Sequence, residues 1–403
     1  MIEASQKLVR FQGLNTVDDP LVGTRDDQGK PLTWEWLAEA NNVDISDEGR
    51  LARRDGYQPF RSGGNIQASF STFDFQRLYV VDSGALLGVR PDGTAAELAT
   101  GLAGPFHWAE INDEVFLSCS IPLRIDKLRN EAAAWVVPVP GGGHLVEASG
   151  ELEPGIYQVC FTHIDEAGRE GGASPAIPIQ ITIGGIQITA PMVPDCYTAI
   201  YACPPNSTVF RSVAVLTHGS GGAYAISQLE PGSMGRELAA PFLDALPSDV
   251  RHVAAWAGRV FGAQYLDPLD QTVIWFSQPL GFHLFDLNKD FIMVPGRVLQ
   301  LTDADSALLI GTDRRTFLYS GDGLQQVAEY GVVPGQHADR HTDGKTYFWT
   351  TRGLCRVAPF ENITEARISV PPGVYAGGGV IHENGYVRYV ATLHSGGAAF
   401  NTR

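Results

Sequence analysis

The amino-acid sequence predicts an all-β fold: a β-propeller of six blades, interrupted by an inserted β-sandwich domain. Three observations carry this expectation. A hairpin pattern recurs six times; the recurrences share one period, broken by one long interval; and no stretch shows the 3.6-residue apolar periodicity of a long amphipathic helix. Among 403 residues, 45 Gly and 25 Pro add the turn content of a β protein.

The clearest copy occupies residues 341–357, HTDGKTYFWTTRGLCRV. A polar turn at Asp343 and Gly344 precedes a β-rich run over 346–351, and a second turn at Arg352 and Gly353 leads into 354–357. Residues 77–89, RLYVVDSGALLGV, repeat this pattern with Tyr79 in the place of Tyr347. Weaker copies centre on Phe116, Phe261, Leu308 and Val387. The six anchors are separated by 37, 145, 47, 39 and 40 residues. Four of these gaps match the period of about 40 to 50 residues of a propeller blade, a four-stranded sheet packed face to face on its neighbours. The long gap holds one such blade and about 105 further residues. An irregular β-sandwich has no reason to keep a shared period, and solenoid repeats are shorter or helical.

The expected division follows. Residues 1–60 form an N-terminal leader, 61–140 and 248–403 form the propeller, and 141–247 form the insertion with its linkers. Residues 6–15 (QKLVRFQGLN) read as a strand that pairs with the last blade and closes the ring, removing a free sheet edge. Pro138, Pro140 and glycines 141–143 mark the way into the insertion; glycines 219, 221 and 222 with Pro231 and Gly232 mark the way out. Between them, alternating runs joined by a turn over 165–172 resemble a fibronectin type III (Ig-like) domain. In that likeness Tyr157, Phe161, Ser174, Pro175, Ile188 and Tyr201 stand where the fold buries or turns, without the Cys-Trp-Cys pattern of antibody domains.

Charge excludes one class of function. The net charge is −16, distributed as −4 over 1–60, −3 over 61–140, −7 over 141–247 and −2 over 248–403. No segment is basic, and a protein that grips phosphates needs a positive patch, because counterion release supplies most non-specific nucleic-acid affinity. No apolar run reaches the length of about 18 residues that marks a membrane span, and residues 1–10 lack the apolar core of a signal peptide, so synthesis and folding in a cytoplasm are expected. Five cysteines, Cys119, Cys160, Cys196, Cys203 and Cys355, form no C-x-x-C pair and read as reduced, buried thiols. Cys196 and Cys203 are near enough in sequence to meet in a hairpin, although a reducing compartment disfavours a disulfide there.

The leader carries a second resemblance. Residues 37–57, LAEANNVDISDEGRLARRDGY, contain an asparagine-rich turn, an "A-x-N-v-d-i" run and a "G-r-l-x-r-R-x-G-y" run, through Ala40, Asn42, Val43, Asp44, Ile45, Gly49, Arg50, Leu51, Arg53, Arg54, Gly56 and Tyr57. With residues 13–23, this opening resembles those of tail hub or nozzle proteins of short-tailed bacteriophages. The resemblance implies a structural virion protein with no catalytic role and no cofactor, assembled in the bacterial host cytoplasm as a homohexameric ring. Its implied partners are further tail and head-to-tail connector proteins and a tail fibre or needle, with genomic DNA passing unheld and no membrane insertion. Arg50, Arg53 and Arg54 form a basic cluster in an acidic chain; they either fork onto carboxylates of a neighbouring subunit, as arginine does at interfaces, or belong to a solvated loop.

Other patterns suggest chemistry only weakly. Asp286, Asn288 and Asp290 open like a calcium loop, but Phe291 and Arg297 stand where an EF-hand needs glycine and glutamate. His218 and the glycines after it look like a hydrolase oxyanion loop without any G-x-S-x-G elbow. His337 and His341 have i, i+4 spacing in a turn-rich connection, which predicts a surface loop more than a zinc site. Gly29-Lys30 lacks the glycine a phosphate loop requires. Glu110 with Asp113 and Glu114, or Asp303 with Asp305, could act as glycosidase carboxylates. A propeller glycoside hydrolase, or a carbohydrate-binding adhesin with exposed aromatics, is therefore the alternative function.

Overall fold

A computed structural model describes residues 10–16, 34–37, 39–41, 43–45, 50–53, 64–217, 221–230, 232–239, 241–357, 359–366, 368–383 and 386–395. The chain is all-β: 56% of it is strand, and the one helical element among the described residues is the short 3-10 turn Asp267–Leu269. It divides into two compact units, one of residues 67–91 and 95–295, the other of residues 1–66, 92–94 and 296–403.

Five sheets are antiparallel meanders in which each strand bonds to the next along the chain. The first three belong to the 67–295 unit. They are Ile66–Ser71, Leu78–Asp82, Ala85–Val89 and Ala95–Ala99; then His107–Ile111, Glu114–Ser118, Leu123–Asp126 and Glu131–Ala134; then His252–Trp256, Arg259–Leu266 and Gln271–Gln278, with Gly281–Phe285 and Phe291–Pro295 sharing the outer position. The other unit holds Val298–Ala304, Ala307–Thr312, Thr316–Tyr319 and Leu324–Ala328; then Asp339–Arg340, Thr346–Thr350, Gly353–Val357 and Glu361–Asn362; and a final two-stranded hairpin, Tyr375–Glu383 and Tyr386–His394.

All six anchors lie on the second strand of their sheet, so the period read from the sequence is the spacing of second strands. The first five of these strands are buried on both faces, which explains their near-continuous apolar runs; the strand of Val387 is only half-buried. In Glu114–Ser118, Val115 and Leu117 join the core shared with the first meander. Phe116 points the other way, into the core shared with Trp135, Val260, Phe282 and Phe285. The same two-sidedness recurs in Thr346–Thr350: Phe348 packs with Leu309 of the fourth meander, whereas Trp349 packs with Ala376 of the final hairpin. The match of Tyr79 to Tyr347 holds in kind. Tyr79 stacks on Trp108 of the next sheet at 6.3 Å between ring centroids, and Tyr347 on Tyr389 of the next at 5.9 Å. Tyr347 is only half-buried, however, and Phe348 takes the fully buried place.

Residues 144–226 build two sheets around one core. A three-stranded sheet joins His144–Leu152, Gly184–Thr189 and Ala223–Ile226; the other joins Glu170–Ala173 and Ile177–Ile181 to one side of Gly155–Asp165, followed by Cys196–Cys203 and Arg211–Leu216. Tyr157, Val159, Phe161, Ile186, Ile188, Ile200 and Ile226 interleave between the sheets. Tyr201 is fully buried too, but on the opposite face of its sheet with Cys160 and Leu238. Arg169 docks this sandwich on the second meander, its guanidinium donating to Trp135 O (3.0 Å) and Ala134 O (2.7 Å).

Two expectations are corrected here. Of the strand expected within 6–15, residues 6–9 lie outside the described residues; Arg10–Leu14 is a strand, but among the described residues it pairs in parallel with Trp34–Leu37 rather than with the last hairpin. The β-propensity of the Trp-Glu-Trp-Leu run makes it the competing partner. The leader reaches the last hairpin through side chains instead: the Arg388 guanidinium pairs with Asp44 at 2.6 Å. Cys196 and Cys203 do not face each other in a hairpin, because they are the two ends of one strand, about 23 Å apart at the rise of an extended chain. All five cysteines are free and buried.

Candidate functional site

The arginine cluster of the leader sits on the short strand pair Val43–Ile45 and Leu51–Arg53, with Val43 opposite Arg53 and Asp44 opposite Ala52. Leu51, Ala52 and Arg53 are all exposed, as is Arg50. Arg54 lies outside the described residues. Three consecutive exposed positions mean that neither face of this strand is committed to a core, which suits a surface segment. Its companion strand is tied down by the Asp44–Arg388 ion pair.

The carboxylates considered for catalysis are otherwise engaged. Glu110 is 7% exposed; one oxygen accepts from Lys127 Nζ at 2.6 Å and the other from the Phe73 N–H at 2.9 Å. Glu114 pairs with Arg124 across the strands of the second meander. Asp303 and Asp305 share Arg340, at 3.4 and 2.6 Å. Burial raises the Asp303 pKa, against the lowering effect of Arg340. Each pair links neighbouring strands or turns.

The remaining motifs also resolve into local structure. The Asp286 carboxylate caps the N–H of Asn288, while Asp290 accepts from Gln278 Nε2 at 2.6 Å and stands 3.6 Å from Arg259. His218 lies outside the described residues. The expectation of a surface loop for His337 is corrected: it is 1% exposed, its Nδ1 accepting from the Trp349 N–H (3.0 Å) and its Nε2 donating to Val333 O (2.7 Å). His341 is half-buried, bonded to Val387 O and to the Asp343 N–H. Among the described residues, no group of three or more His, Cys, Asp or Glu could hold a metal ion.

Two clusters escaped sequence reasoning because their members are far apart in the chain. Glu170 accepts from Tyr201 (2.7 Å), Thr162 (2.6 Å) and Arg236 (2.6 Å), and its carbonyl accepts from His283. The network fastens the sandwich edge to the third meander. The His107 and His252 rings meet, tilted by 36°, with centroids 3.9 Å apart between the first strands of the second and third meanders. Desolvation, followed by the neighbouring His252, holds His107 well below the ordinary histidine range.

No protein-family model matches the chain, and no curated protein matches it. Among solved structures, it is similar to the extracellular domain of a putative hybrid two-component system from B. thetaiotaomicron, at 10% identity and a TM-score of 0.38, covering 84% of this chain and 35% of that one. It is similar to virginiamycin B lyase from Staphylococcus aureus at 9% identity and a TM-score of 0.35, covering 81% and 92%. AztD from Citrobacter koseri is similar at 12% identity and a TM-score of 0.28, covering 72% and 82%. The chain thus spans about a third of the length of the first of these. The first two are β-propeller-type folds, but at such TM-scores the likeness carries no argument about this chain.

Proposed function

We propose that the chain is a structural protein of a short-tailed phage virion, forming the tail hub or nozzle ring that continues the DNA channel below the head-to-tail connector. The observation that carries this reading is the leader opening, from Ala40, Val43, Asp44 and Ile45 through Gly49, Arg50, Leu51, Arg53 and Arg54 to Tyr57. Five meanders with their anchors on second strands support a six-bladed β-propeller, whose sixth blade is the final hairpin held to the leader by Arg388 and Asp44. The two-sheet block with one core supports a fibronectin type III-like insertion. The engagement of Glu110, Glu114, Asp303 and Asp305 in ion pairs supports a non-catalytic role.

A propeller's axis is too narrow for a duplex, so the channel is built from several copies, a closed homohexamer in this reading. Exposed Arg50 and Arg53, with Arg54, then form ion pairs with a neighbouring copy. Light scattering of the purified chain, with antibody-labelled microscopy of the virion, tests the proposal. A six-copy closed ring at the tail end is the expected result. A single copy, an open helical array, or a location away from the tail would overturn it.

A further inference from the structure

We propose that the seam between the first and second meanders binds one or two internal water molecules, held by Arg77, Tyr79, Trp108 and Asn130. Four polar atoms of these residues are shielded from solvent and make no hydrogen bond to the protein: Arg77 Nε, Tyr79 Oη, Trp108 Nε1 and Asn130 Oδ1. A few such groups are expected in a whole protein, and four in one seam require a common cause. They converge because of the register. Tyr79 stacks on Trp108 and stands opposite Gly88 in its strand pair. The space a Cβ of Gly88 would fill is taken by the Asn130 side chain, whose Oδ1 would lie 2.5 Å from that Cβ. Arg77 is two residues before Tyr79 on the same side of the chain. Burial pushes the Tyr79 phenol up to about 12, with the charge of Arg77 the largest opposing influence, so the hydroxyl keeps its proton.

The identity of the ligand follows from donors and acceptors. Arg77, Tyr79 and Trp108 present N–H and O–H donors, whereas Asn130 Oδ1 can only accept. An anion would leave Asn130 Oδ1 unpaired and would sit among Asp74, Glu110 and Asp126, whose charges already act on Tyr79. A cation would face three donors. Glu110 cannot turn inward, since both its oxygens are engaged by Lys127 and Phe73. A neutral molecule that both donates and accepts satisfies all four groups, and water is the smallest that does so.

The test is a crystal structure of the full chain at a resolution that orders internal solvent, together with oxygen-17 relaxation dispersion in solution. One or two fully occupied waters within hydrogen-bond distance of Trp108 Nε1 and Asn130 Oδ1 are expected. The variant carrying Tyr79→Phe and Trp108→Phe, which keeps an aromatic ring at each position but removes the O–H and N–H, should lose one or two long-lived waters from the dispersion. Direct pairing among the four side chains, an ion or an empty seam in the crystal, or an unchanged count of long-lived waters in the variant, would overturn the proposal.

Discussion

His337 shows how one side chain converts burial into a pH-dependent contribution. Desolvation, opposed by its bond to Val333 O, lowers its pKa from 6.5 to about 4. A folded value below the unfolded one means that the neutral ring stabilises fully above pH 6.5 and loses that contribution as pH falls through about 4. The expected loss over this window is on the order of 3 kcal/mol. Urea melts of the wild-type chain and of His337→Asn between pH 4 and 7 check it: the variant should be less stable at pH 7 and show a shallower pH slope. This role was not legible in the sequence, because a histidine between turn residues reads as exposed until Trp349 and Val333 are seen to close around it.

At the scale of elements, close backbone approaches decide how sheets fit. Gly335 has φ +129, and a Cβ there would lie 1.9 Å from the carbonyl oxygen of Ala376, where the final hairpin meets the fifth meander. Gly335→Ala is expected to cost on the order of 3 kcal/mol, because neither the left-handed backbone nor the carbonyl can yield without breaking the seam. Gly93→Ala is the control: its φ is +83 but a Cβ would meet nothing within 4 Å, so a cost of about 1 kcal/mol is expected. Denaturant midpoints of the two variants should differ accordingly. Trp135 joins the second and third meanders, fully buried and donating from Nε1 to Phe282 O at 2.8 Å. Trp135→Phe should lose about 1 to 3 kcal/mol from the unpaired carbonyl, and Trp135→Ala about 3 to 5 kcal/mol from the cavity. Chemical denaturation of both variants measures the difference.

At the scale of the whole molecule, two properties can be tested without a ligand. The sandwich has its own core but is fastened through Arg169, Glu170 and His283 to the meanders. Replacing residues 145–225 by a short glycine linker should therefore leave a cooperative melt at lower temperature; loss of cooperativity would show that the meanders depend on the sandwich for folding. Charge sets the second expectation. At −16 per copy, the six copies of the proposed ring would carry −96, and repulsion from DNA extends about 8 to 10 Å at cellular salt. A filter-binding assay should show no retention of duplex DNA at physiological salt, and none of the steep salt dependence of a phosphate-gripping protein.

The all-β class and the recurrence of hairpins were legible in the sequence because they rest on local quantities. Alternation, turn residues and the roughly 40-residue spacing from Tyr79 to Phe116 and from Phe261 through Leu308 and Tyr347 to Val387 depend on neighbours along the chain. Pairing across distance was not legible. Arg10–Leu14 chose Trp34–Leu37 over the final hairpin, and Cys196 and Cys203 fell on one strand. The partners of Glu110, Glu170 and His337 came from turns and strands brought together only by packing. A polar side chain's role is set by what surrounds it, and the surroundings of a buried group are assembled by sheet register and face-to-face packing, which only the tertiary structure decides.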